Sequence, residues 1–440
     1  MKLGVVSLGC AKNRVDTEEM LSLLTQEGYT LTDRAEEAEV LVINTCGFIT
    51  SAKEESIDAI FEMAQHKETG KCRALVVTGC LAQRYGDDLM REIPQIDVLS
   101  GVTQYDTLAG AIRSALERGE RAQNTERNNA FLHCGRVLTT PGYSAYIRIG
   151  EGCDNRCAYC AIPLIRGRHR SRPLDDILDE MRTLAGQGVK EHVLIAQDTT
   201  RWGRDLDNAS LRHLVREAAG IPGLAWLRVL YCYPDETDRA LIDEMAAHDT
   251  VCRYLDLPLQ HAVPHILKAM NRRGDIEEVR ALLQYARERG FALRTTFIVG
   301  FPGETEADFE ALMDFVRDVR FDRMGAFAFS PEEDTPAYSM KNQVDEAVKQ
   351  QRLDALMSQQ QQISLERNLE RVGSLDTVLV TQVEGKVAYG RTAWEAPDSD
   401  GLVFIRDGGG LVEGSFARVR MTGAGAYDLE AELFVEDAAP

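Results

Sequence analysis

No run of apolar residues in this 440-residue chain is long enough to cross a bilayer as a helix, which argues against a helical membrane protein. Positive charge is also in short supply: 50 Lys and Arg stand against 70 Asp and Glu, a formal net charge of −20. Proteins that coat nucleic acid carry a dense basic surface, so that class is disfavoured, and only a local basic patch is left for such a role. Ten cysteines over this length make no dense disulfide framework. No secretory segment precedes the first apolar run, so the expected setting is a reducing cytoplasm. Apolar material, at 44% of residues, is ample for substantial cores, and the length suggests about two to four domains.

The tightest chemical constraint is "EGCDNRCAYC", which places Cys153, Cys157 and Cys160 in a C-x3-C-x2-C spacing behind a glycine. Three thiolates this close can wrap one face of a [4Fe–4S] cluster and leave one iron without a cysteine, open to chemistry. Zinc, with the nearby His169 as a further ligand, is the competing metal, and unligated buried thiols are the third reading.

A second set is dispersed. Cys10 ends "VVSLGC", Cys46 ends "VLVINTC" and Cys80 ends "ALVVTGC", each thiol following a short apolar run suited to a buried parallel strand. The segments between carry helical spacing, as in "DTEEMLSLLTQEGY" and "KEESIDAIFEMAQHKETG". Sites in open α/β sheets form at the carboxyl ends of strands, so these three cysteines are expected to meet on one edge. An ordinary buried thiol is the bland reading of each alone; the repeated placement favours an auxiliary cluster with three protein ligands. Cys72, Cys134, Cys232 and Cys252 fit neither set and read as structural.

A polar stretch, "LERGERAQNTERNNAFLHCGR", marks the first boundary. Beyond it "SAYIRIGEGC" is a strand delivering the three-cysteine loop. Strand patterns then alternate with helical ones: "HVLIAQD", "LAWLRVLY", "RYLDLPLQ", "LRTTFIVGF" and "RMGAFAFS" alternate with segments such as "LDDILDEMRTLAGQG" and "IEEVRALLQYARERG". Such a βα-repeating domain carries its site at the carboxyl ends of its strands. "FIVGFPGETEADFE" reads as a strand-to-helix turn around Gly300, Pro302 and Gly303. Gln197, Asp198, Thr199 and Thr200 stand at another strand exit. Arg166, Arg168, Arg170 and Arg172 crowd "IRGRHRSRP"; they are either a solvated run or a patch facing an anionic cofactor or substrate. From about residue 370 short strands and turns suggest one small antiparallel barrel. Residues 371 to 440 hold six basic and twelve acidic side chains, which favours a protein or cationic partner over bare RNA.

The three-cysteine motif, with Tyr159 before its last thiol, resembles the signature of radical S-adenosylmethionine (SAM) enzymes. Together "SLGCAKNRVDTE", "EGCDNRCAYCAIPLIRGRHRSRP" and "PLQHAVPHILKAMNRRG" make essentially the whole chain resemble the methylthiotransferase family. "CAKNRVDTE", "AQDTTRWG", "RVLYCYPDE" and "GRTAWEAPDSDG" lean toward its ribosomal-protein branch. That resemblance implies a multidomain α/β protein in three parts. They are a Rossmann-like parallel α/β domain at 1–125 binding an auxiliary [4Fe–4S] cluster, an open TIM-like radical SAM barrel at 136–365, and a small antiparallel β-barrel of TRAM type at 370–440 that docks substrate. It implies cluster ligands Cys10, Cys46 and Cys80 in one set and Cys153, Cys157 and Cys160 in the other. Tyr159, Gln197, Arg228 and Gly300 are expected to line the SAM site.

The implied reaction is methylthiolation of the β-carbon of an aspartate in small-subunit ribosomal protein twelve, free or in the ribosome, with one SAM as methyl donor and another as radical source. An unactivated C–H bond offers no handle to an amino-acid base, so the cofactors carry the difficult step and no side chain is assigned as catalytic. A reductase or flavodoxin-like electron donor, an unnamed sulfur donor, a monomeric state and no membrane complete the expectation. A transfer-RNA adenosine methylthiotransferase and a nonenzymatic metal-binding or RNA-docking module are the alternatives.

Overall fold

The computed structural model describes residues 1–127, 130–132 and 134–434. Part of the polar boundary stretch and the last residues of the 370–440 segment therefore lie outside the described residues. Two compact units form: Met1–Thr139 with Gly150–Arg172 and Ser330–Tyr338, and Thr140–Ile149 with Pro173–Phe329 and Ser339–Pro440. Compactness thus divides the chain differently from its sequence pattern, since the three-cysteine loop packs within the first unit.

The first unit is built on six parallel strands, β1 (Lys2–Ser7), β2 (Thr30–Leu31), β3 (Val40–Thr45), β4 (Ala74–Gly79), β5 (Val98–Ser100) and β6 (Ala122–Asn124), in the order β2-β1-β3-β4-β5-β6. The runs in β3 and β4 are apolar almost throughout because both faces are covered. Val40, Val42, Ala74 and Val76 pack under the helices Ala11–Gln26 and Leu108–Arg118, with Met20, Leu21, Leu24 and Ile112. Leu41, Ile43, Leu75 and Val77 point the other way, onto Ile60 and Met63 of Thr50–Ala64 and onto Leu81 and Leu89 of Cys80–Glu92. The strand order reverses between β1 and β3, and ligands in such sheets bind outside the carboxyl ends at that reversal. Also in this unit, β8 (Gly150–Glu151) pairs antiparallel with β9 (Arg170–Ser171) and closes the base of the three-cysteine loop.

In the second unit six parallel strands form an open arc. β7 (Ser144–Arg148), β10 (Glu191–Ile195) and β11 (Trp226–Val229) make one sheet; β12 (Tyr254–Asp256), β13 (Ala292–Val299) and β14 (Arg323–Ala328) make another. A parallel bridge from Leu227 to Val251 links the two. A 24-residue helix, Glu346–Leu369, then leads to a closed five-stranded barrel of β15 (Leu375–Glu384), β16 (Val387–Arg391), β17 (Val403–Arg406), β18 (Phe416–Ala424) and β19 (Leu429–Leu433). The barrel is not wholly antiparallel, because β17 pairs parallel with β19. Strand directions cannot alternate all the way round a closed ring of odd number.

The β16–β17 loop of this barrel reaches every strand of the arc. Asp398 accepts from the Tyr146 hydroxyl on β7 (2.8 Å), and Arg391 donates to Glu191 on β10 (2.6 Å). Arg228 on β11 donates to the Ala393 carbonyl (2.9 Å), and Asp400 accepts from the Tyr254 hydroxyl on β12 (2.6 Å). Arg294 on β13 lies 3.7 Å from Asp400, and Arg323 on β14 donates to Glu395 at 2.9 Å. Glu191, Tyr254 and Arg323 each open their strand, so the loop sits on the amino-end side of the arc. In parallel α/β barrels that side is the one that serves stability.

Candidate functional site

Cys10, Cys46 and Cys80 come together at the carboxyl ends of β1, β3 and β4. Cys10 caps the helix Ala11–Gln26, and Cys80 is the first residue of its own helix rather than part of a loop. The junctions are tight: a Cβ on Gly9 (φ +90°) would lie 3.0 Å from the Cys46 Cβ and 3.3 Å from its Sγ. The Ser56 hydroxyl receives the Cys46 amide and donates to its carbonyl, both at 2.9 Å, which holds the middle thiol. Burial raises the Cys46 thiol, and Cys10 adds to the rise. Cys80 is pushed up to about 12 by burial, opposed by the Arg166 charge and reinforced by Cys10 and Cys46. Cys46 and Cys80 therefore resist ionisation alone, yet such a set suits a metal centre that binds thiolates and displaces their protons.

Asn13 and Arg166 organise the surroundings. The Asn13 amide donates to the carbonyls of Leu8 (3.1 Å) and Thr45 (2.9 Å), bridging the exits of β1 and β3. Its Oδ1 accepts from Cys80 Sγ (3.5 Å) and from Arg166 Nη2 (2.7 Å). Arg166 is buried and pairs with Asp16 at 2.7 Å and Glu151 at 3.0 Å. Burial works against its charge, but the two carboxylates outweigh it and hold the guanidinium firmly protonated. Ala161, which caps the helix Ile162–Arg166, and Ile165 within it pack against Cys80 and Val102. The segment after Cys160 is therefore bound to the first cysteine set.

The three-cysteine loop is drawn closed by the Cys153 amide donating to Gly167 O (3.1 Å) and the Cys160 amide donating to Cys157 O (3.0 Å). Ala337 donates to Ala158 O at 2.8 Å, so the segment Ser330–Tyr338 lies against this loop. Cys157 is buried, while Cys153, Tyr159 and Cys160 are half-buried. His169, the candidate zinc ligand, places Nε2 3.2 Å from the Ser171 hydroxyl. Among the described residues no three His, Cys, Asp or Glu side chains converge on a single ion position. Thiolates on separate irons of a cluster need no such convergence, and the donor set suits iron–sulfur better than a mononuclear ion.

The arginine run does not act as one patch. It crosses a helix end, a turn and a two-residue strand, leaving Arg166 buried and Arg168 exposed beside Asp154.

In the second unit Gln197 follows β10 and is half-buried beside buried Asp198, Thr199 and Thr200. Gly300 follows β13 with φ +71°, and a Cβ there would meet Lys349 Cγ at 2.3 Å, so packing alone demands glycine. Glu304 braces that turn, accepting from Gly300 N (2.8 Å) and Arg352 (2.8 Å). Arg228 is fully buried, donates to Glu191 (3.1 Å) and Ala393, and stacks on Tyr254. Sequence reasoning did not single out Asn13, Asp16, Glu151 or Glu191. Asn13 and Asp16 stand within "CAKNRVDTE", so their signal was in a quoted motif.

Known proteins give the same order of parts. Residues 2–101 match the model described as uncharacterized protein family UPF0004, 147–316 the radical SAM superfamily, and 372–434 the TRAM domain. The fold is also that of a solved radical S-adenosylmethionine methyltransferase, TsrM from Kitasatospora setae. The TM-score is 0.56 at 16% identity, over 86% of this chain and 76% of that one. Fold and motif define a radical SAM protein with a TRAM barrel. Two similar curated relatives are named ribosomal protein uS12 methylthiotransferase RimO. That from Desulforamulus reducens is 48% identical over 98% of this chain and 99% of its own length; that from Pelotomaculum thermopropionicum is 49% identical with the same coverage. The chain belongs to the RimO family of ribosomal protein uS12 methylthiotransferases.

Proposed function

We propose that the protein replaces a hydrogen on the β-carbon of an aspartate in ribosomal protein uS12 with a methylthio group. The observation carrying this reading is the gathering of both cysteine sets in one compact unit, with Arg166 common to their surroundings. Its cofactors are two [4Fe–4S] clusters and SAM: Cys10, Cys46 and Cys80 hold one cluster, and Cys153, Cys157 and Cys160 hold the other. When bound, these groups supply a carbon-centred radical, a sulfur and a methyl group. The chain's own task is positioning, because a radical on carbon must meet its sulfur donor before it is quenched.

Tyr159, Gln197 and Gly300 border the SAM site in this reading. Arg228 is the fourth residue assigned to that site, and its guanidinium also ties β10 and β11 to the loop around Ala393. The functional division is 1–125 for the auxiliary cluster, 136–365 for SAM and 370–440 for docking. The acidic excess of the last segment suits a basic ribosomal protein, free or in the ribosome, since complementary charge helps select a partner. A monomer working in the cytoplasm with a reductase or flavodoxin-like donor completes the proposal. Among the described residues no helix is long and apolar enough to cross a membrane.

The test is to incubate the anaerobically reconstituted, reduced protein with SAM, sulfide and uS12, and to map the product by tandem mass spectrometry. One methylthio group on one aspartate, dependent on both cysteine sets, is expected. SAM cleavage without that product, with both clusters loaded, overturns the substrate and points to transfer RNA. No SAM cleavage at all favours a nonenzymatic role.

A further inference from the structure

Arg166 is a buried cation that nothing in the assigned chemistry uses. It ends the helix Ile162–Arg166, a short way past Cys160, yet its guanidinium is turned into the framework of the other cysteine set. Nη1 donates to Glu151 Oε2 at 3.0 Å, and Nη2 donates to Asn13 Oδ1 and Asp16 Oδ2, each at 2.7 Å. Nη2 also lies 3.7 Å from Cys80 Sγ, within reach of a hydrogen bond to sulfur. We propose that Arg166 is a positioning residue for the cluster held by Cys10, Cys46 and Cys80, donating to the Cys80 sulfur and offsetting the negative charge that the cluster gains on reduction. This inference rests on the ligand assignment of the proposed function.

The donor arrangement is ready for a thiolate. As a thiol, Cys80 donates to Asn13 Oδ1 (3.5 Å); as a thiolate it can only accept, and the Nη2 hydrogen directed at Asn13 Oδ1 is near enough to be shared with it. Hydrogen bonds to cluster sulfurs, and nearby charge, are the protein's means of setting reduction potential. Asp16 and Glu151 keep the guanidinium in place as second-layer partners, and arginine suits the position because its planar fork serves several acceptors at once.

The experiment measures the midpoint potential of each cluster by electron paramagnetic resonance in full-length anaerobic protein poised at a series of potentials. Backgrounds Cys153→Ala/Cys157→Ala/Cys160→Ala and Cys10→Ala/Cys46→Ala/Cys80→Ala separate the two signals. In Arg166→Gln/Asp16→Asn, which removes one charge of each sign, the Cys10/Cys46/Cys80 cluster is expected to be harder to reduce. The expected change in its reduced-to-oxidised ratio is about tenfold, equivalent to about 59 mV for one electron, with the other cluster unmoved. Arg166→Lys, which keeps the charge but loses the fork, is expected to shift the same cluster less. An unmoved potential in the double variant, or equal shifts in both clusters, overturns the inference. If the double variant fails to assemble its cluster, Arg166→Lys decides alone: a shift confined to the Cys10/Cys46/Cys80 cluster supports the inference, and none overturns it. Unsubstituted protein that assembles only one cluster refutes the ligand assignment instead, so the two failures are distinguishable.

Discussion

Gly79 stands between β4 and Cys80 with φ +96° and ψ −159°. Side chains enter that region of backbone space only at a cost of about 1–3 kcal/mol. A Cβ would also lie 2.3 Å from Asn44 Oδ1, 2.5 Å from Thr45 O and 2.7 Å from Thr45 N, and two of those atoms are backbone that cannot step aside. Overpacking of this kind adds about 1–3 kcal/mol. Gly79→Ala is therefore expected to destabilise the sheet by about 2–6 kcal/mol, a large share of the stability of a typical domain. Gly119→Ala is the control, since Gly119 has φ +66° with open space around its Cβ direction. It should cost only the left-handed term, about 1–2 kcal/mol. All three tryptophans, Trp202, Trp226 and Trp394, lie in the second compact unit, so their fluorescence is a poor probe. Hydrogen exchange read by mass spectrometry over peptides spanning β3 and β4 reports local opening directly. If Gly79→Ala loses no more protection there than Gly119→Ala, the steric account of the Cys80 junction is wrong.

Burial works to raise Glu191, but Arg391 and Arg228 outweigh it and hold its carboxyl at about 2; Glu395 is held likewise at about 2 by Arg371 and Arg323. With folded values below the usual carboxylate range, both contribute stability that is full above about pH 4.3 and lost as pH falls toward 2, on the order of 3 kcal/mol each. Tryptophan fluorescence of the second unit in acid should follow that window, and a loss complete by about pH 5 would contradict it. Glu395→Gln should cost about 3–5 kcal/mol by leaving Arg323 and Arg371 without their buried partner. Glu430→Gln, at the exposed Arg406 pair, should change denaturant stability by less than about 1 kcal/mol, and equal effects would refute the burial argument. In apo protein at about pH 8, iodoacetamide should label exposed Cys10 well before Cys80, which stays a neutral thiol until far higher pH. Equal rates by peptide mapping would show that Cys80 is not buried as described.

The parallel sheet was legible because strands covered on both faces carry near-continuous apolar runs, as "VLVI" and "ALVV" do ahead of the polar or small residues at each strand exit. So was the meeting of Cys10, Cys46 and Cys80, since parallel strands deliver their carboxyl ends to one edge. The helix Cys80–Glu92 escaped notice because Gly86 and paired aspartates interrupt its pattern, and Glu346–Leu369 because a glutamine-rich surface gives little apolar period. Arg166 was visible only as one member of a charge run; its burial depends on Asp16 and Glu151, 150 and 15 residues away along the chain. Gly300 read as part of a strand-to-helix turn, and the resemblance placed it at the SAM site; the immediate demand for glycine comes from Lys349, a side chain of the helix that the pattern did not reveal. Local motifs name the chemistry; the partners that tune it are set by tertiary proximity, which periodicity does not encode.

The loop from Arg391 to Asp400 works as a peg driven into the arc, with one polar bond to each of its six strands. A tug on the small barrel is transmitted to all of those strands together rather than absorbed at a hinge between them. It also makes the barrel a poor candidate for shuffling between proteins: a foreign barrel without that peg would take one polar partner from each of the six strands, and a foreign arc would take the same partners from the peg.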